Sequence, residues 1–336
     1  MSRKKKRSRV KKFFKKTPLY WFVHIVQYAV FRILEFFFSS LSGNPLERLG
    51  RAAGIFFFHY YPRQRKVCIA NLQQVYGRRL GSVGVLKMAK SVYRHWGIVM
   101  GEMFWVTRNL SRENWRRHVK LEGRENLDNA LSKGNGVILI AAHLGNWELL
   151  GFITALLGYQ LYSVARMIEN PYIHRYVLNM RTRCGQKILD KEGALKGMVQ
   201  ALKNNGVVGI LADQNAGSSG VFVDFFGRKA STTRSPAALA LKYETPIVPL
   251  YCYRLGCGPS YVLGYEPALV PSVTEYSEDA IPEVTQQVTT KLEEMILRKP
   301  EQWVWLHNRW RTRPPEESPL PPAKPQRSPD EVGGEG

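Results

Sequence analysis

Between residues 120 and 255 the chain repeats one arrangement: a short aliphatic run, a polar residue where the run stops, then a stretch with helical spacing. The run 137–142 stops at His143, the run 161–165 at Arg166, and the run 207–212 at Asp213 and Gln214. Runs this short and apolar read as buried strands, and their alternation with helices is the signature of an α/β fold with a mostly parallel sheet flanked by helices. Residues 193–205 put Ala194, Leu195, Met198, Val199 and Leu202 at helical spacing before an Asn-Asn-Gly stop. Ser235 and Pro236 open a further helix over 237–243 as N-cap and first-turn proline. A fourth run, 247–251, contains Pro249, which predicts an edge or irregular strand. Parallel strands end along one edge of their sheet, where ligands usually bind, so His143, Arg166 and Asp213 are expected to share a cleft.

The segment Ala-Ala-His143-Leu-Gly-Asn146-Trp-Glu148 carries the strongest chemical signal. It delivers an imidazole at a strand end and a carboxylate in the first turn of the next helix. Such a pair suits a general base and the group that orients it, which points to transfer chemistry on an alcohol. Ala141, Ala142 and Gly145 leave space beside His143, where a core histidine would be hemmed in by large apolar neighbours. Plainer roles compete: Arg166 as a surface ion pair, Asp213 as the cap of an Asp-Gln-Asn-Ala-Gly turn. The aromatic stretch 221–228 reads either as the wall of an acyl-chain groove with Arg228 at its mouth or as ordinary core.

The net charge of +22 is unevenly distributed: residues 1–16 hold ten basic side chains and no acidic one. Such a block suits nucleic acid, an import signal or anionic lipid. The residues that follow favour lipid. As a helix, 18–41 would be ~36 Å long, enough to span a bilayer. Yet His24, Gln27, Tyr28, Arg32, Glu35 and Ser39 fall on one arc, a polar stripe better suited to a helix lying in the interface or packed on its own domain. The segment is too long, too charged and too poor in small residues near its end for a cleavable secretory signal. Nucleic-acid binding would leave this aromatic surface unused, so no nucleic-acid partner is expected.

Cys68, Cys184, Cys252 and Cys257 have neither the pairing nor the histidine spacing of a metal site, and no metal or cofactor is implied. After Leu320 the chain is rich in Pro, Ser, Glu and Gly, which predicts a disordered tail. The expected organisation is a basic N-terminus and membrane helix over 1–43, a catalytic domain over 44–312 and a tail over 313–336.

Taken with Ala-Arg166 before Glu-Asn-Pro171, Asp213-Gln214-Asn-Ala-Gly, Gly-Val-Phe-Val-Asp-Phe-Phe-Gly-Arg228, Thr-Pro-Ile-Val-Pro and Gln302-Trp-Val-Trp-Leu-His307, the motif resembles the lipid A biosynthesis (lauroyl/myristoyl) acyltransferases of the glycerolipid acyltransferase superfamily. The resemblance runs from the N-terminal helix to about Arg311. It implies His143 as base and Glu148 as its partner, with Arg166, Arg181, Asp213 and Gln214 lining the substrate site; Asn146, at the start of the following helix, and Arg228 are further substrate-binding candidates by position. It also implies an acyl thioester on acyl carrier protein as donor, a lipid A precursor hydroxyl as acceptor, anionic membrane lipids as neighbours, and the cytoplasmic face of a bacterial inner membrane. A sister activity on a mannosylated phosphatidylinositol or another glycolipid, a hydrolase, and a non-catalytic basic membrane-surface protein are the competing functions.

Overall fold

The structure, a computed structural model, describes residues 18–41, 43–165, 167–190 and 193–317. The basic block 1–16, Arg166 and the chain from 318 onward lie outside the described residues. Three helices come first: α1 (Pro18–Ser40), α2 (Gly43–Tyr60) and α3 (Pro62–Asn109), the last interrupted at Gly81. Next come β1 (Val119–Glu122), α4 (Arg124–Leu131), β2 (Val137–Ala141), α5 (Trp147–Leu156), β3 (Leu161–Ala165), α6 (Pro171–Arg183) and β4 (Lys187–Asp190). The chain continues through α7 (Ala194–Lys203), β5 (Val207–Leu211), β6 (Val221–Phe225), β7 (Arg228–Thr232), α8 (Ser235–Tyr243), β8 (Ile247–Arg254), β9 (Tyr261–Tyr265) and α9 (Ala280–Arg298).

Among the described residues one seven-stranded sheet runs in the order β1-β9-β8-β2-β5-β3-β4. The five strands from β8 to β4 are parallel, whereas β9 is antiparallel to β8 and carries β1 alongside it. This is the mostly parallel α/β sheet that the apolar runs predict. Every residue of β2 is buried, because helices cover both faces of the sheet centre. One difference concerns Pro249: β8 is not an edge strand but lies between β2 and β9. Its first residues, to Pro249, pair with β2, and from Leu250 onward it pairs with β9 on the other side. The proline stands at this hand-over, where neither neighbour is paired along the whole strand.

α2 and α3 cross closely because small residues meet there. A Cβ on Gly54 would stand 2.0 Å from the Tyr93 carbonyl oxygen, and one on Gly97 would stand 2.2 Å from that of Gly50. This crossing holds α3 over the end of the sheet that carries the site.

α1 is built inside out relative to a soluble helix. His24, Glu35 and Ser39 from its polar stripe are buried against the protein. Asn170 donates to the His24 carbonyl and the Gln27 amide oxygen, Asn109 donates to the Ser39 carbonyl, and Tyr28 and Phe31 pack on Tyr172 and Tyr176 of α6. The apolar side faces outward: Phe22, Ile33 and Phe36 are each more than 60% exposed. α1 is long and apolar enough to cross a membrane. At the other end the described chain passes residue 312: Arg313 donates to the Lys229 carbonyl, and Pro315–Glu317 form a single 3-10 turn.

Candidate active site

The site forms where β2 and β5 end. The two strands pair in parallel from Val137↔Val207 to Ala141↔Leu211, a constant offset of 70 residues. The ladder runs one step further through the Ala212 N–H to the Ala141 carbonyl. One residue on, His143 and Asp213 face each other. The His143 N–H donates to Asp213 Oδ2 at 2.9 Å, and the ring Nδ1 bonds Asp213 Oδ1 at 2.8 Å. Because an ionised carboxylate only accepts, Nδ1 carries the proton and Nε2 is left with its lone pair.

Asp213 is 2% exposed and also accepts the Trp303 indole N–H at 2.7 Å. Burial alone would raise its proton affinity, but the His143 charge and the hydrogen bonds from His143 and Trp303 prevail and hold it at about 2. For His143 burial acts downward. The Asp213 charge and hydrogen bond, joined by the Glu148 charge, outweigh it and raise the imidazole above its ordinary 6.5. Nε2 meets the exposed Gln214 at 3.3 Å, and the Trp147 ring centroid lies 5.5 Å from the imidazole centroid. The imidazole is thus oriented from within by Asp213, and on its outer side Nε2 accepts from the amide of the exposed Gln214.

The expected direct partnership between His143 and Glu148 gives way to another pairing. Glu148 is gripped by Arg181 through two hydrogen bonds, Nη2 to Oε1 at 2.6 Å and Nε to Oε2 at 3.0 Å. Its first-turn position on α5 points it towards α6, while Asp213 occupies the imidazole's Nδ1 side. Glu148 therefore acts on His143 by charge alone and ties α5 to α6. Met103, Val106, Phe152, Met180 and Gln186 line a small pocket beside this ion pair.

The loop between β2 and α5 has a shape that only its sequence permits. Gly145 has φ +58°, and a Cβ there would stand 1.8 Å from the Cys252 carbonyl oxygen. Asn146 is wholly buried; its N–H donates to that same carbonyl and its side-chain amide approaches the Tyr261 hydroxyl at 3.4 Å. Its backbone and side chain are thus engaged with β8 and β9. Tyr261 in turn donates to Glu102, Arg254 bridges Glu102 and Glu47, and this buried chain of charges underlies the loop. The segment around Trp303 crosses the same loop: Leu144 pairs antiparallel with Trp303, the Gly145 N–H donates to the Gln302 carbonyl, and the Val304 N–H donates to that of His143.

Arg228 is not part of this cluster. It opens β7, pairs with Phe225 across the hairpin and donates to Gln74 of α3 at 2.6 Å. Phe225 is fully buried against Trp303 and Trp310, whereas Phe222 and Phe226 of the same hairpin are half-buried. Arg166 lies outside the described residues. Trp303, Tyr261, Glu102 and Arg254 carry no short-motif signal in the sequence. Trp303 stands within the Gln302–His307 resemblance motif, but its role depends on a contact 90 residues away in the chain.

The described residues contain no group of three or more His, Cys, Asp or Glu side chains that could hold a metal. The thiols of Cys68, Cys184 and Cys252 are all pushed up by burial, which suits packing and not nucleophilic attack.

The sequence comparisons place this α/β fold, with its imidazole–carboxylate pair at the ends of β2 and β5, among acyltransferases. More narrowly, the chain belongs to the bacterial lipid A biosynthesis acyltransferase family, whose sequence profile matches residues 10–312. It is 29% identical over 311 residues to the lipid A biosynthesis lauroyltransferase of Escherichia coli, covering 88% of this chain and 94% of that protein. The palmitoleoyltransferase of the same pathway in Escherichia coli is 26% identical over 238 residues, 70% of this chain and 74% of the relative. A phosphatidylinositol mannoside acyltransferase of Mycobacterium tuberculosis is 27% identical over 192 residues, 56% of this chain, and the match spans 58% of that relative's length.

Proposed function

We propose that this protein transfers a fatty acyl group from an acyl carrier protein thioester to a hydroxyl of a lipid A precursor, forming an acyloxyacyl ester. The observation that carries this reading is the His143–Asp213 pair at the shared end of β2 and β5, with Nε2 covered only by the exposed Gln214 amide, which an acceptor hydroxyl would displace. His143 Nε2 takes the acceptor hydroxyl's proton as that oxygen attacks the thioester carbonyl. The tetrahedral intermediate then collapses with cleavage of the C–S bond, the thiolate taking the proton from His143 as it leaves as the free carrier thiol, while Asp213 holds the tautomer and stabilises the imidazolium. A positioned base contributes ~100 to 10,000-fold to such a step. Glu148, paired with Arg181, adds negative charge near the imidazolium and fixes the start of α5, whose positive dipole end lies beside the developing charge. The Asn146 N–H is already engaged by Cys252 and takes no part. A thioester is activated enough to react without a covalent enzyme intermediate.

The outward apolar face of α1 supports attachment at the cytoplasmic leaflet of a bacterial inner membrane, and the basic composition of residues 1–16 suits anionic headgroups. Acyl carrier protein and phosphorylated lipid A precursors are both acidic and complement a chain of net charge +22.

Transfer to a mannosylated phosphatidylinositol is the second reading, favoured by the match to the mycobacterial relative. The greater extent of the lauroyltransferase match supports the lipid A precursor as acceptor. Purified protein supplied with acyl carrier protein thioester and each acceptor separately decides between them by mass spectrometry of the lipid product. Product from the lipid A precursor that is lost in His143→Ala supports the proposal. Wild-type turnover in His143→Ala, or free fatty acid at full rate without acceptor, overturns it.

A further inference from the structure

We infer that Trp303 is a positioning residue for the transfer reaction: its indole N–H fixes Asp213 and thereby sets the proton affinity and orientation of His143. The inference rests on the proposed role of His143 as base.

Three observations carry it. The first is the bond itself. Trp303 Nε1 donates to Asp213 Oδ2 at 2.7 Å, while Oδ1 of the same carboxylate accepts His143 Nδ1. Trp303 and His143 thus compete for one buried charge, and a donor on one oxygen withdraws electron density from the other. The second is rigidity. Trp303 is 2% exposed, and its ring packs against Phe225, Phe226 and Trp305, so close packing holds the indole in place. The third is the backbone. Trp303 pairs antiparallel with Leu144, and the next residue, Val304, donates to the His143 carbonyl. The adjacent Gln302 side chain accepts the Arg254 N–H and donates to the Arg254 carbonyl, extending the edge of β8. One strap therefore holds the backbone of the base and the carboxylate that orients it.

The proton held at Nδ1 is placed by Asp213, whose Oδ2 is held jointly by the Trp303 indole and the His143 backbone N–H. Without the indole donor, the carboxylate offers more charge to the imidazolium and turns more freely about its own bond. Both effects act on His143: its proton affinity rises, and the fraction of time Nε2 is correctly aimed falls.

Trp303→Phe removes the donor while keeping an aromatic ring in the cluster. In the full chain, the acid limb of kcat/KM is expected to move up by roughly half a pH unit or more, with kcat reduced about tenfold. Trp305→Phe is the control: it disturbs the same aromatic cluster, but its indole donates to the Pro300 carbonyl, so the acid limb should stay in place. In an Asp213→Asn background, Trp303→Phe should produce no further shift. Equal shifts in the two tryptophan variants, or an unmoved limb in Trp303→Phe, would overturn the inference. A measurement on the unsubstituted protein stands independently of folding in any variant. The Trp303 indole 15N and 1H resonances should titrate with the His143 midpoint, and an indole signal that ignores that titration would also overturn it. If instead His143→Ala kept full turnover, the proposed base would be wrong while the coupled titration of Trp303 and His143 remained.

Discussion

His143 and Asp213 lie two positions beyond the last register pair of β2 and β5, 70 residues apart in sequence, and are hydrogen-bonded through two atoms each. Adjacent parallel strands of matched length present their next residues side by side. The pair is therefore a product of strand register, and its rigidity comes from the sheet itself.

The rate should fall on acidification through a midpoint above 6.5, because only neutral His143 accepts a proton and its affinity is raised above that value. Asp213→Asn removes the group that raises it, so the midpoint should move down and kcat should drop by about 100-fold or more through loss of the correct tautomer. The same linkage acts on stability. Since the folded-state affinity of His143 exceeds the unfolded one and that of Asp213 lies below it, the pair stabilises the protein fully between about pH 3.8 and 6.5, losing this contribution as pH rises through the folded His143 midpoint and as it falls through that of Asp213 at about 2. A pH–rate profile beside a pH series of denaturant melts checks both signs.

Glu148→Gln should shift the midpoint down less than Asp213→Asn does, because Glu148 reaches His143 by charge without a hydrogen bond. A larger shift in Glu148→Gln would assign the orienting role to Glu148 instead.

Gly145→Ala should impair activity and folding together. The added carbon would meet the Cys252 carbonyl at 1.8 Å on a backbone with φ +58°, so the loop must lift and carry His143 with it. A crystal structure of the variant with an unmoved loop and normal turnover would contradict this.

Arg254→Met leaves Glu102 and Glu47 buried without their shared cation. Breaking a buried ion network from one side costs ~3–5 kcal/mol, which urea denaturation would read directly. A change under 1 kcal/mol, about a fifth of that scale, would show that the network is dispensable.

Replacing Phe22, Ile33 and Phe36 together by serine should move the protein towards the soluble fraction with its fold retained, because these side chains face outward from α1. Full membrane retention would transfer the anchor to the exposed aromatics Phe56, Tyr60 and Tyr61.

Local pattern alone carried much of this protein. The strands at 137, 161 and 207, the helices that open near 147, 194 and 235 and the histidine at a strand end follow from neighbouring side chains, because burial on both faces of a strand or on one stripe of a helix is written at short spacing. The polar stripe of α1 was equally legible, although which way it faced was not. What required the folded molecule were relations between distant segments. Register made Asp213, and not the nearer Glu148, the hydrogen-bond partner of His143; α6 drew Glu148 to Arg181; and a strap from residues 302–304 brought Trp303 onto the same carboxylate. Such pairings depend on how strands align and helices dock, energies summed over contacts scattered along the chain that no short stretch of sequence displays.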